Sequence, residues 1–357
     1  MRILVAGMLA GNPRQGGATW AILQYLRGLE RLGHEVMVVE PVSRLMPDSV
    51  RYLDALALGN ASLLVRGSQE THGLSYSVLA GFNAELLLNV SGMLDDPELM
   101  SEIPIRVFVD LDPAFCQIWL AQGAMSSGDH THFVTVGTRL RETELPLDRD
   151  WLVTLPPVML AEWPPADKLE YDAFTTVGHW RSYGSAHHDG RVYGQRAHSV
   201  RRLLEIPRLT HQRLLPALAI HPEEAADLAA LGAYGWQLLD PAALAATPED
   251  YRRFVAGSKG ELGLAKAGYV DSRCGWFSDR SACYLASGRP VVAQATGFEM
   301  SLPVGEGLLA FDTAPAAAAA LDAVGSDYER HRRAARALAE EHLDSDRVLT
   351  RLLEAVA

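Results

Sequence analysis

The chain has 357 residues, of which 48% are hydrophobic, 21% charged and 8% aromatic, a make-up that fits a globular protein with a sizeable core and excludes a disordered, collagen-like or coiled-coil chain. A formal net charge of −12 argues against a general nucleic-acid binder, which needs a basic footprint to displace counterions. Three scattered cysteines (Cys116, Cys274, Cys283) and the lack of any run near the ~18 apolar residues that span a bilayer point to a soluble, cytoplasmic protein with neither a disulfide framework nor a transmembrane segment.

At the amino end, Arg2–Ala6 reads as a short buried strand, followed by a loop containing Gly7, Gly11, Asn12, Pro13, Gly16 and Gly17. Ile22, Tyr25, Leu26, Leu29 and Leu32 then recur at helical spacing, Gly33 stands where a helix would be capped, and Glu35–Glu40 is a second strand. Strand, glycine loop, helix and strand make a βαβ unit, the start of a doubly wound parallel sheet. Further strands are expected at Ala84–Val90, Ile105–Val109 and His132–Val136. Pro156, Pro157, Pro164 and Pro165 mark Leu155–Asp167 as a linker. A second alternation follows, with strands at Phe174–Val177, Leu215–Ile220, Trp236–Leu239 and Pro290–Ala293 and a helix over about Pro248–Ser258. Near the carboxyl end, Asp344 or Ser345 caps a final helix with Val348, Leu349, Leu352, Leu353 and Val356 on one face.

The Gly7–Gly17 loop lies at the carboxyl end of the first strand, where open parallel sheets bind ligands and a helix amino terminus offers N–H groups to an anion. The dinucleotide fingerprint G-x-G-x-x-G is absent there, although Glu40 ends the second strand at the place of a ribose-binding acid. Ser278 can cap a helix running to Ser287, leaving first-turn N–H groups open to a diphosphate and Arg280 as a fork for its oxygens. Asp110, after the strand Ile105–Val109, is expected to face the cleft, as a base toward an acceptor hydroxyl or as a group that binds the acceptor. Asp110-Leu-Asp112 also has the D-x-D form of a divalent-metal site. His130 and His132, at the start of another strand, are expected at the same edge. His187 and His188 are adjacent and cannot readily converge on one ion. Arg191, Arg196, Arg201, Arg202, Arg208 and Arg213 form a local positive run that reads as a solvated helix face.

Two segments carry a family resemblance: M-R-I-L-V-A-G…P-R-Q-G-G-A-T-W-A-I-L-Q-Y-L-R-G-L-E-R-L-G-H-E-V-M-V-V-E at the start, and Gly275–Ala293 with its A-S-G-R-P-V-V. They resemble GT-B glycosyltransferases, which place a Gly-Gly pair at the head of a first helix ending in G-H-x-V and lay a helix ending in A-x-G-x-P-V-V against the donor. The chain is similar in particular to bacterial family-4-like and spore-coat (CgeB-like) enzymes. The resemblance implies an α/β GT-B architecture of two Rossmann-like domains facing a central cleft. Residues 1–160 would be the acceptor domain, 170–335 the donor domain, and 336–357 a helix packing back on the first. It implies transfer of a sugar from a nucleoside diphosphate-sugar to an acceptor hydroxyl, with no metal or other cofactor, and the acidic net charge excludes nucleic acid as the expected partner. The D-x-D metal reading belongs to the single-domain GT-A enzymes.

The same resemblance assigns Gly178, Arg181, Lys259, Glu261, Ser278, Asp279 and Arg280 to the donor. Gly16, Gly17, Asp112 and His130 fall to the acceptor side of the cleft, with Asp110 and His132 as the catalytic candidates. The paired glutamates of family 4 are missing, since Gly275 and Cys283 occupy their places. Rival readings are an epimerase or phosphorylase on the same fold, an NAD-dependent oxidoreductase resting on Glu40, and a non-catalytic partner subunit.

Overall fold

In the computed structural model, which describes residues 1–357, the first half builds an eight-stranded sheet. Its strands are β1 (Arg2–Ala6), β2 (Glu35–Val42), β3 (Ala61–Val65), β4 (Thr71–Gly73), β5 (Leu86–Val90), β6 (Ile105–Asp110), β7 (His132–Thr135) and β8 (Trp151–Val153). They lie in the order β4-β3-β2-β1-β5-β6-β7-β8, parallel throughout except that β4 runs against β3. The second half adds β9 (Tyr171–His179), a separate hairpin of β10 (Ala186–His188) and β11 (Arg191–Tyr193), then β12 (Leu214–Ala219), β13 (Ser258–Gly263), β14 (Val291–Gln294) and β15 (Leu308–Phe311). Its main sheet is parallel, in the order β12-β9-β13-β14-β15.

Central strands such as β5 and β14 are buried along their whole length and apolar but for Asn89 and Gln294, because helices cover both faces of a parallel sheet. In each sheet the chain order reverses beside the founding strand: β2 and β5 flank β1, and β12 and β13 flank β9. Crevices open at the carboxyl ends of strands at such switch points. One continuous core of 45 buried residues runs from Ile3 and Val5 of β1 to Val291 and Ala293 of β14, so the two sheets share a hydrophobic interior.

The final helix, Ser345–Val356, is capped by Asp344, whose carboxylate accepts from Asp346 N (3.2 Å). All five apolar residues on its expected face are buried, each contributing about 1.5–3 kcal/mol. It packs on the Gly16–Arg31 helix of the first half, where a Cβ on Gly28 would lie 2.5 Å from Leu349 Cδ1. Val158 of the proline-rich linker joins the same seam, donating to Leu343 O (2.8 Å) and accepting from Ser345 N (2.9 Å). No helix is long and apolar enough to cross a membrane.

Trp236–Leu239 is not a strand. Only Leu239 makes a bridge, to Ala217, while the Trp236 indole turns into the core and donates to Leu204 O (2.9 Å). Five strands and the hairpin escape the periodicity reading. β13 is the instructive case: SKGELG holds two glycines and two charges, yet a Cβ on Gly260 would sit 2.6 Å from Pro290 O, so the neighbouring backbone demands glycine there.

Candidate functional site

A cavity of about 400 Å³ opens where the two switch points meet. From the first half it is lined by the loop after β1, including Pro13, Arg14, Gln15 and Gly17. From the second half come the ends of β9 (Val177–His179) and β12 (Ala219), together with Tyr251, Asp279 and Arg280. Two helices of opposite halves therefore begin at the same space, Gly16–Arg31 and Asp279–Ala286. First-turn N–H groups carry the positive end of the helix dipole. Gly16 N and Arg280 N are bonded to Ala245 O and Ser278 Oγ, so it is the two dipoles and the remaining first-turn N–H groups that favour an anion. A second groove of about 730 Å³ shares Ala219, Pro241 and Ala242 with the first and extends past Ile220 and Leu238.

Arg280 is the best-fixed cation at the cavity. Its Nε donates to Glu261 and its Nη1 to Val177 O (3.1 Å). Burial works against the guanidinium charge, but Glu261 overrides it and holds Arg280 above its ordinary value. Glu261 itself is wholly buried, with Oε2 unpartnered. It lies beneath the arginine rather than in the cavity, so the expected donor contact is replaced by a role in aiming Arg280. Ser278 caps the helix, accepting from Arg280 N (3.2 Å). Burial raises the Asp279 carboxyl, against the pull of Arg280.

Gly178 lines the cavity above Arg196: a Cβ there would be 2.8 Å from Arg196 Nη1. Arg196 donates to Leu264 O (2.9 Å) and His179 O, and burial, aided by Arg280, pushes its pKa down to about 10. Sequence reasoning placed Arg196 in a solvated arginine run. Its apolar neighbours Ala197 and Val200 are the one hint that this stretch is buried.

The Gly16-Gly17 pair serves close approach of the two halves. A Cβ on Gly16 would lie 2.1 Å from Thr247 O, and on Gly17 2.8 Å from the Tyr251 ring. The Gly16 N–H is already taken by Ala245 O (2.9 Å), and the neighbouring Trp20 indole donates to Pro248 O (2.8 Å). Gly17 alone of the two reaches the cavity.

Other expected residues lie elsewhere. Arg181 lines the second groove and is paired with Glu224. Lys259 is at the amino end of β13, bound to Gln212 (2.9 Å) and Asp172 (3.3 Å), at the opposite edge of the sheet from the cavity. Asp110 does end β6, but its carboxylate turns inward to accept from Gln117 Nε2 (2.9 Å), Thr135 Oγ1 (2.8 Å) and Asp112 N (2.8 Å). Burial raises its pKa to about 6, and with 1% exposure it does not face substrate.

His130 and His132 are misplaced by a simple geometric error: a residue just before a parallel strand sits at the amino edge, away from the crevice. His132 pairs in register with Val107, whereas the carboxyl-end pair is Asp110 with Thr135. His130 packs on Phe108 and Phe133 and accepts from Asn89 Nδ2 (3.0 Å).

Asp112, expected on the acceptor side of the cleft, does not line the cavity and ties the halves together. It accepts from Lys266 Nζ (2.7 Å) and from the hydroxyls of Tyr183 and Tyr269, all in the second half. Burial raises its carboxyl, but Lys266 and the two tyrosines outweigh that and hold it below the usual value. The Lys266 ammonium also lies 3.9 Å from the centre of the Tyr183 ring. No three His, Cys, Asp or Glu side chains are grouped to hold a metal ion.

Glu40 answers the oxidoreductase reading. Its Oε2 accepts from the backbone N–H groups of Leu9 (2.8 Å), Ala10 (2.5 Å) and Gly11 (2.7 Å). The donors that a dinucleotide phosphate would use after β1 are filled by the protein's own carboxylate.

No protein-family model matches the chain, and no curated protein shows significant sequence similarity to it. Solved structures do. An α-glucosyltransferase in complex with UDP-glucose and DNA containing an abasic site matches over 99% of this chain and 98% of its own, with TM-score 0.64 and 11% identity. A glycosyltransferase from Rickettsia africae ESF-5 matches over 99% and 97%, with TM-score 0.59 and 14% identity. Anabaena Alr3699/HepE in complex with UDP and glucose matches over 99% of both chains, with TM-score 0.60 and 11% identity. At these identities the likeness is one of fold: the chain has the two-sheet GT-B architecture expected from its sequence.

Proposed function

We propose that the protein is a glycosyltransferase that moves a sugar from a nucleoside diphosphate-sugar to an acceptor hydroxyl, without a metal. The observation that carries this reading is the convergence of two helix amino termini and the Glu261-aimed Arg280 on one cavity between the halves. The diphosphate would lie at Arg280 and the first turn of Asp279–Ala286, with Gly178 giving it room above Arg196. The nucleoside would extend into the groove past Ala219 and Ala242, beside Arg181. Fixed donors and dipoles at the leaving diphosphate, already oriented before reaction, would supply the largest part of the rate. In this reading residues 1–160 present the acceptor and 170–335 hold the donor, while the helix within 336–357 braces the first half.

Uridine diphosphate is the first nucleotide to test, since the α-glucosyltransferase and HepE structures carry it. Four of the α-glucosyltransferase structures also hold DNA, but the net charge of −12 here favours an acceptor other than nucleic acid. The bacterial family-4-like and spore-coat-like assignment, and a cytoplasmic setting, belong to the same proposal.

A second reading, a partner subunit that binds nucleotide without turnover, is favoured by one fact: Asp279 is the single carboxylate lining the cavity. Incubation with UDP-sugars and assay of released UDP decides. Release supports the transferase, UDP binding without release supports the partner subunit, and neither overturns both.

A further inference from the structure

Of the five residues that line the cavity from the first half, Arg14 alone is charged. It makes no hydrogen bond and no ion pair, although most arginines of the chain are engaged with carboxylates or carbonyls. Its backbone sits at φ 66, in the left-handed region that a side-chain-bearing residue adopts at a cost. Across the cavity the charges are already matched, with Arg280 against Glu261 and Asp279. Arg14 is therefore an unspent planar fork at a space that also receives two helix amino termini, and it lines the same cavity as Arg280 from the opposite half.

We propose that Arg14 binds a carboxylate or phosphate at the transfer end of the cavity, so that one of the two molecules joined there is acidic. The inference rests on the transferase reading and deepens it by naming a substrate class. Two sources of the anion are open to the same chemistry: the transferred sugar itself, as a uronic acid, or the acceptor. A guanidinium that meets an anionic oxygen bidentately discriminates by about tenfold to a hundredfold against a neutral analogue.

The test compares wild type with Arg14→Gln and Arg14→Lys by calorimetry, using UDP, UDP-glucose, UDP-glucuronate, and inorganic phosphate added to the UDP-glucose complex. Arg14 is exposed, so neither variant removes a buried contact. A selective loss of UDP-glucuronate affinity in Arg14→Gln, by tenfold or more and partly restored in Arg14→Lys, assigns the anion to the sugar. Equal affinity for both UDP-sugars with loss of phosphate binding to the complex assigns it to the acceptor. An equal loss for UDP, UDP-glucose and UDP-glucuronate would place Arg14 on the diphosphate and overturn the inference, as would no change with any probe. If the wild-type protein binds UDP and Arg14→Gln is indifferent, the inference alone falls. If the wild type binds no uridine nucleotide, the transferase reading falls and takes the inference with it.

Discussion

Replacing Arg280 with methionine separates fold from function at the centre of the site. The arginine side chain is 10% exposed and the Glu261 side chain 0%, and one oxygen of that carboxylate has no other partner. Removing the cation leaves an uncompensated buried charge, which costs about 3–5 kcal/mol against a total stability of roughly 5–15. Arg280→Met should therefore unfold at clearly lower urea concentration. In the double variant Arg280→Met/Glu261→Leu both charges are gone and an apolar pair fills the space, so most of that loss should return. Affinity for UDP should not return, because the proposed charge-assisted bond to the diphosphate, worth about 1.5–3 kcal/mol, would be absent from both variants. Urea unfolding followed by tryptophan fluorescence reads the first quantity and calorimetry the second. A double variant as unstable as the single, or one whose UDP affinity recovers together with its stability, would refute the reasoning.

Gly16→Ala should destabilise the protein by about 2–4 kcal/mol, because its Cβ meets a backbone carbonyl and breaks the Gly16–Ala245 bond; an unchanged urea midpoint would contradict the role given to this glycine. Asp110, raised to about 6 by burial, binds its proton more tightly folded than unfolded, so its contribution to stability grows as pH falls from about 6 toward the ordinary 3.8. Asp110→Asn should lack that rise in a pH series of urea melts, and an identical pH profile would remove Asp110 as its source. Lys259→Met should leave UDP affinity unchanged, since Lys259 lies at the far edge of the sheet; a large loss by calorimetry would return it to the site.

Much of this arrangement is legible in the residues themselves. The β1–helix–β2 unit, the Ser278-capped helix and the final helix all follow from local chemistry: apolar periodicity, a cap, a terminating glycine. What stays hidden depends on partners distant in sequence. Gly16 and Gly17 look like a phosphate loop until Thr247 and Tyr251, more than two hundred positions away, are seen against them. Glu261 reads as a donor-binding acid until Arg280 covers it, and Asp112 as an acceptor-side residue of the cleft until Lys266 and two tyrosines close on it from the other half. Arg196 shows the opposite case, a residue dismissed as solvated whose burial under Gly178 only the packed second sheet could produce. For His130 and His132 the sequence held enough, since strand polarity alone puts them at the amino edge.

The most direct test of the account is calorimetry and thermal melting of the intact protein with UDP and, separately, with NAD. The account predicts saturable UDP binding and a stabilisation of about 2.7 kcal/mol at a hundredfold excess over the dissociation constant, with no response to NAD, whose phosphate site after β1 is filled by Glu40. Stabilisation by NAD with indifference to UDP would contradict it.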